Sequence, residues 1–141
     1  MCGCDASAPM IARARHKAQH AGADIDFRVA RAEALPWQDA SFDVVLGTMM
    51  LHHLRKDARV QFAADAKRVL RPGGRPVLAD IGPPKRLGLV ELLHRKHHMT
   101  VEKLAQVVGA AGFSVKESGD VGAMSLIYLI ASAVTLKAER G

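Results

Sequence analysis

Aromatic side chains are scarce: Phe, Tyr and Trp together make up 4% of the 141 residues. A surface that stacks single-stranded bases needs a row of them, so nucleic acid is an unlikely partner on composition. Cysteine is scarcer still. Cys2 and Cys4 stand two apart near the N-terminus, and such close neighbours staple no fold. A reducing, cytoplasmic compartment suits them. Long hydrophobic runs are missing too. The longest apolar stretch, Met124–Leu136, is broken by Ser125, Tyr128, Ser132 and Thr135. It falls short of the roughly 20 residues a membrane helix needs, so no membrane partner is expected. The first twelve residues include Asp5 and lack the apolar core of a secretory signal.

What is present reads as one globular domain over residues 1–141. Hydrophobic residues reach 49% and charged residues 24%, enough to bury a core and solvate a surface. The net charge is +6, but the basic residues are scattered, which fits a solvated face better than a nucleic-acid groove. His94, His97 and His98 stand at helical spacing. Such short tracts are only compositional hints, and no metal site is expected.

Periodicity divides the chain into alternating elements. Ser7 can cap a helix with Pro9 in its first turn, and Gly22 can end it. Ile25–Val29 reads as a short strand and Glu33–Ser41 as a loop. Phe42–Met50 is an apolar, β-branched run, the pattern of a strand buried on both faces. Asp57–Leu70 is a second helix, which Arg71-Pro72-Gly73-Gly74 stops with a turn. Pro76–Ile81 is another buried strand, and Leu87–Leu93 a helix candidate. Thr100 caps a further helix that Gly112 closes. Phe113–Glu117 and Ser125–Ala133 are the last strands. Alternation of this kind predicts an α/β sheet, mostly parallel, with helices on both faces. The link Gly119–Gly122 is too short for a parallel crossover, so the last strand should run antiparallel.

Five phrases, in order, resemble the class I S-adenosylmethionine-dependent methyltransferases, in particular the small-molecule group of ubiquinone and menaquinone biosynthesis. Cys4-Asp5-Ala6-Ser7-Ala8-Pro9-Met10 is similar to the acidic end of that fold's second strand and the helix after it. Ala32-Glu33-Ala34-Leu35-Pro36-Trp37 is similar to the loop after the third strand. Ser41-Phe42-Asp43-Val44-Val45, running on to Leu51-His52-His53-Leu54, resembles the fourth strand and its exit. Arg68-Val69-Leu70-Arg71-Pro72-Gly73-Gly74 resembles the approach to the fifth, and Ala110-Ala111-Gly112-Phe113 the start of the sixth.

The resemblance implies S-adenosyl-L-methionine as cofactor, with Asp5, Ala6, Arg31, Ala32, Glu33, Gly47 and Thr48 along its site. A carboxylate at a strand's C-terminal end accepts hydrogen bonds from ribose hydroxyls in doubly wound folds; Asp5 holds that position, though a charge there also complements a helix dipole. Arg31 stands where relatives place an acidic residue for the adenine amino group, and a guanidinium has no acceptor to offer. Gly47 is either a strand kink or a close approach to the cofactor. His52 and His53 follow where relatives hold the methyl acceptor. Either they cap and solvate the next helix, or one of them serves as a base.

In the family, the domain opens with a strand and a glycine-rich turn that cradles the methionine end of the cofactor. Nothing in the 141 residues matches that turn. The expected architecture is therefore an incomplete Rossmann-like sheet without its first, central strand. Three consequences are expected as alternatives: marginal stability, a homo-oligomer formed through the gap, or direct pairing of the strands beside it. The expected function is methyl transfer to a small-molecule acceptor, with poor cofactor retention by this chain alone. The competing expectation is a non-catalytic, methyltransferase-like interaction module.

Overall fold

Ser7 starts the first helix. Its Oγ accepts from the Met10 N–H, and Pro9 occupies the first turn, where its missing N–H costs nothing. Gly22, at φ +62°, ends that helix in the left-handed region. Thr100 caps the last helix through the Lys103 N–H, and Gly112, at φ +77°, follows its end. The computed structural model describes residues 1–83, 98–121 and 125–134. The order is β1 (Cys2–Asp5), α1 (Ala8–His20), β2 (Asp26–Val29), β3 (Phe42–Thr48), a 3-10 turn (Leu51–His53), α2 (Lys56–Val69), β4 (Leu70–Ile81), α3 (Val101–Ala110), β5 (Phe113–Val121) and β6 (Leu126–Ala133).

These strands form two sheets. β1 and β2 pair in parallel, with Asp5 opposite Val29. The other sheet has the order β3-β4-β6-β5. Its β3 and β4 are parallel, and β6 is antiparallel to both β4 and β5. The last strand is thus reversed, as its short link requires, but it inserts between β4 and β5. The described helices α2 and α3 pack against each other and against the four-stranded sheet, while α1 covers β1 and β2. The helix candidate Leu87–Leu93 lies outside the described residues, as do His94 and His97.

One expectation fails at Arg71–Gly74. Instead of a free turn, the chain passes directly from α2 into β4 at Leu70. Phe42 pairs with Leu70 and Val44 with Arg75, so a bulge absorbs the extra residues. Gly73 supplies the positive φ, +83°, that the bulge needs.

Direct pairing across the gap also fails. β1 and β3 share no ladder, and each is bonded on one side only among the described residues. Val44 and Leu46 on β3 are consequently 45% and 65% exposed, although their sequence suits a strand buried on both faces.

The core lies where α2 and α3 meet the larger sheet. Phe62, Ala66, Leu78, Leu104, Phe113 and Leu129 are among its buried members. Burying a side chain of the Leu or Phe type contributes about 1.5–3 kcal/mol. The loop after β2 runs back along α2. Leu35 N–H donates to Asp65, and Arg68 donates to the Leu35 and Trp37 carbonyls. Ala32 reaches the same core. This loop ties the small sheet to the large one.

Candidate cofactor and catalytic site

The predicted residues gather at the carboxyl ends of parallel strands, where doubly wound folds bind ligands. Asp5 ends β1. Its Oδ1 accepts the Ser7 N–H at 2.7 Å, which orients the carboxylate and leaves Oδ2 without a partner among the described residues. The Ala30 N–H donates to the Asp5 carbonyl at 3.0 Å, so Arg31, Ala32 and Glu33 follow directly beside it. Ala6 lies between Asp5 and the helix cap. The Ala32 N–H meets no acceptor among the described residues.

Arg31 turns to its neighbour. Its guanidinium donates to Glu33 Oε1 at 2.9 Å. That bond, aided by the backbone, holds the Glu33 carboxyl below the usual carboxylate range. Arg31 is thereby paired within the chain, and the Glu33 carboxylate is occupied by it.

Gly47 and Thr48 end β3. A Cβ on Gly47 would stand 3.0 Å from Leu78 Cδ2 and 3.2 Å from Phe62 Cζ. A side chain here would therefore press on the core. Thr48 is exposed, and it pairs with Ala79 in β4. Met49 then adopts φ +50°, a costly left-handed conformation for a non-glycine residue. Its N–H still reaches the Ala79 carbonyl at 2.8 Å. This bend swings the chain into the 3-10 turn and carries His52 over the end of β4.

There His52 meets Asp80, a residue the motif reading passed over. Asp80 is fully buried, and its Oδ1 lies 2.5 Å from His52 Nδ1. Asp80 also accepts the His52 N–H at 3.1 Å and its neighbour Ile81 N–H at 2.7 Å. A signal existed: one carboxylate at the end of the apolar run Pro76–Ile81 must be paired if it is buried. His53 stacks on His52, with ring centroids 3.8 Å apart, but its ring makes no hydrogen bond among the described residues. An open concavity of about 720 Å³, lined by Arg55, Lys56, Asp57, Val60 and Gln61, follows at the first turn of α2. No group of three or more metal-ligating side chains occurs among the described residues.

A mixed sheet with helices packed on it, bearing polar groups at its carboxyl strand ends, defines a Rossmann-like class of fold. Residues 1–74 match the family model of a methyltransferase domain. Over 100 residues the chain is 37% identical to a demethylmenaquinone methyltransferase of Thermus thermophilus, covering 70% of this chain and 44% of that protein. A solved methyltransferase of Aquifex aeolicus, described as S-adenosylmethionine-dependent, superposes with a TM-score of 0.79 at 18% identity. That match covers 94% of this chain and 68% of the other. The 1,6-didemethyltoxoflavin-N1-methyltransferase of Burkholderia thailandensis, solved with bound S-adenosylhomocysteine, gives a TM-score of 0.71 at 23% identity, covering 95% of this chain and 61% of that one. The chain belongs to the class I S-adenosylmethionine-dependent methyltransferases, whose cofactor is S-adenosyl-L-methionine. It spans less than half the length of the curated relatives it matches.

Proposed function

We propose that this chain takes part in methyl transfer from S-adenosyl-L-methionine to a small-molecule acceptor. The observation that carries the proposal is the Asp5 carboxylate, oriented by the Ser7 N–H at the carboxyl end of β1 with one oxygen free. That oxygen suits a ribose diol. The unpaired Ala32 N–H beside it suits a ring nitrogen of adenine. Ala6, Arg31 and Glu33 frame this nucleoside end, and the backbone of Gly47 and Thr48 flanks the sulfonium. The fit to the nucleoside half of the cofactor is therefore good.

When bound, the cofactor supplies an electrophilic methyl group. His52 Nε2 takes the proton that the acceptor loses as its new bond to carbon forms. His53, exposed beside it, lines the acceptor's path. The demethylmenaquinone methyltransferase similarity supports a small organic acceptor. No helix among the described residues is long and apolar enough to cross a membrane. The free thiols of Cys2 and Cys4 suit a cytoplasmic setting.

Titration calorimetry with S-adenosylhomocysteine tests the reading. Binding weaker than micromolar is expected, because no residue here supplies the glycine-rich turn, and Asp5→Ala should weaken it further. No heat at millimolar ligand would overturn it and favour a non-catalytic interaction module.

The two one-sided strand edges support a further proposal about partners: copies of the chain associate through β3. An apolar strand edge with no Lys or Pro in it, and no covering helix among the described residues, invites such pairing.

A further inference from the structure

We propose that Asp80 is a positioning residue that selects His52, rather than His53, as the base and sets which ring nitrogen of His52 is free. The inference rests on the methyl-transfer reading above only for the purpose of the base, not for the geometry.

The geometry begins in the β3–β4 ladder. Thr48 pairs with Ala79, so Asp80 stands one residue beyond the last rung, directly under the turn that follows β3. Met49 bends the chain there. The buried carboxylate then receives three protein contacts: the His52 backbone N–H, the Ile81 N–H and the His52 ring. The two backbone donors fix the carboxylate before the ring is considered. With both oxygens held, Oδ1 faces Nδ1.

A carboxylate accepts and does not donate, so the neutral ring must carry its proton on Nδ1. The lone pair is then on Nε2. The arrangement follows the logic of acid–histidine pairs in which a buried carboxylate fixes the imidazole tautomer and supports its charged form. With the cofactor bound, the step would balance: the acceptor's proton would go to Nε2, the acceptor's electron pair would form the bond to the methyl carbon, the sulfonium–methyl bond would break with its pair returning to sulfur to leave S-adenosylhomocysteine, and His52 would become imidazolium against the Asp80 carboxylate. His53 has no such partner among the described residues. Neither of its tautomers is enforced.

A purely structural Asp80 would cap the 3-10 turn through the His52 N–H and leave the ring indifferent. The imidazole nitrogens tell the two apart. In the ¹⁵N-labelled chain without cofactor, long-range ¹H–¹⁵N correlation on the neutral ring should show His52 protonated at Nδ1 and unprotonated at Nε2. Asp80→Ala removes the acceptor altogether, and His52 should lose its preference for the Nδ1–H form.

A wild-type His52 protonated at Nε2 overturns the proposal, and so does a spectrum unchanged by Asp80→Ala. If that variant fails to fold, the wild-type tautomer alone decides. His52→Gln separates the two readings. Unchanged turnover with the expected tautomer would refute His52 as base while leaving the Asp80 positioning intact. Where turnover is measured, Asp80→Asn should lower kcat about 10²–10⁴-fold with KM for the cofactor little changed.

Discussion

Arg68 grips Asp65 with two hydrogen bonds, Nε to Oδ1 at 2.6 Å and a terminal nitrogen to Oδ2 at 3.0 Å. The same guanidinium reaches Asp39 and the carbonyls of Leu35 and Trp37. Asp65 in turn accepts the Leu35 N–H. One helical pair thus pins the loop that begins at Arg31–Glu33, the residues proposed to frame the nucleoside. Arg68→Met should destabilise the fold by about 2–3 kcal/mol, the scale of a charge-assisted bond that leaves buried acceptors unmet. Urea denaturation measures the loss. An unchanged midpoint would show that the loop is held by other means.

Acid should act at the same place. The Arg68 hydrogen bond, with help from the Leu35 N–H, holds the Asp65 carboxyl below the usual range. A lowered folded value means that the stabilisation is full above the unfolded value of about 3.9. It is lost as pH falls through the lowered folded value. In Arg68→Met this part of the acid dependence should flatten.

Gly47 leaves little room for a methyl group. Its Cβ would meet Leu78 and Phe62 at 3.0 and 3.2 Å, and both neighbours are buried. Gly47→Ala should cost about 1–3 kcal/mol, the usual penalty of overpacking. Thermal unfolding should report it. A neutral result would mean that the two side chains yield without strain.

Cys4 should be a sluggish thiol. Partial burial, and then the Asp5 charge beside it, push its pKa up. The thiolate is the reactive form. At mildly alkaline pH, iodoacetamide should therefore label Cys4 several-fold more slowly than free cysteine, as followed by peptide mass spectrometry. Asp5→Asn should speed it modestly. Labelling as fast as free cysteine would contradict the half-buried setting of β1.

The β3 edge should drive association. Sedimentation velocity at rising micromolar concentration should show growth in mass, and Leu46→Lys, at a position 65% exposed, should abolish it. A wild-type chain that stays monomeric across that range would remove the edge-pairing proposal.

Much of the fold was legible in local pattern. Ser7, Thr100, Gly22 and Gly112 mark helix ends because caps and left-handed residues act over three or four positions. Phe42–Thr48 announced itself by β-branching. The final antiparallel strand followed from a link too short to cross over. The turn expected at Arg71–Gly74 was lost to a bulge, because β3 supplied a hydrogen-bonding partner that no local window contains. The insertion of β6 between β4 and β5 is likewise a long-range choice.

The site divides in the same way. The sequence by itself determined the family, the acidic end of β1 and the histidine pair, since each is written in contiguous residues. Only the tertiary structure decided that Arg31 pairs with Glu33, that Gly47 packs closely against Phe62 and Leu78, and that Asp80 meets His52. Asp80 and His52 are 28 residues apart. A parallel ladder and one left-handed residue, Met49, close that distance, and burial then makes the pairing obligatory. Backbone hydrogen bonding between distant strands, not local propensity, places the carboxylate beneath the imidazole.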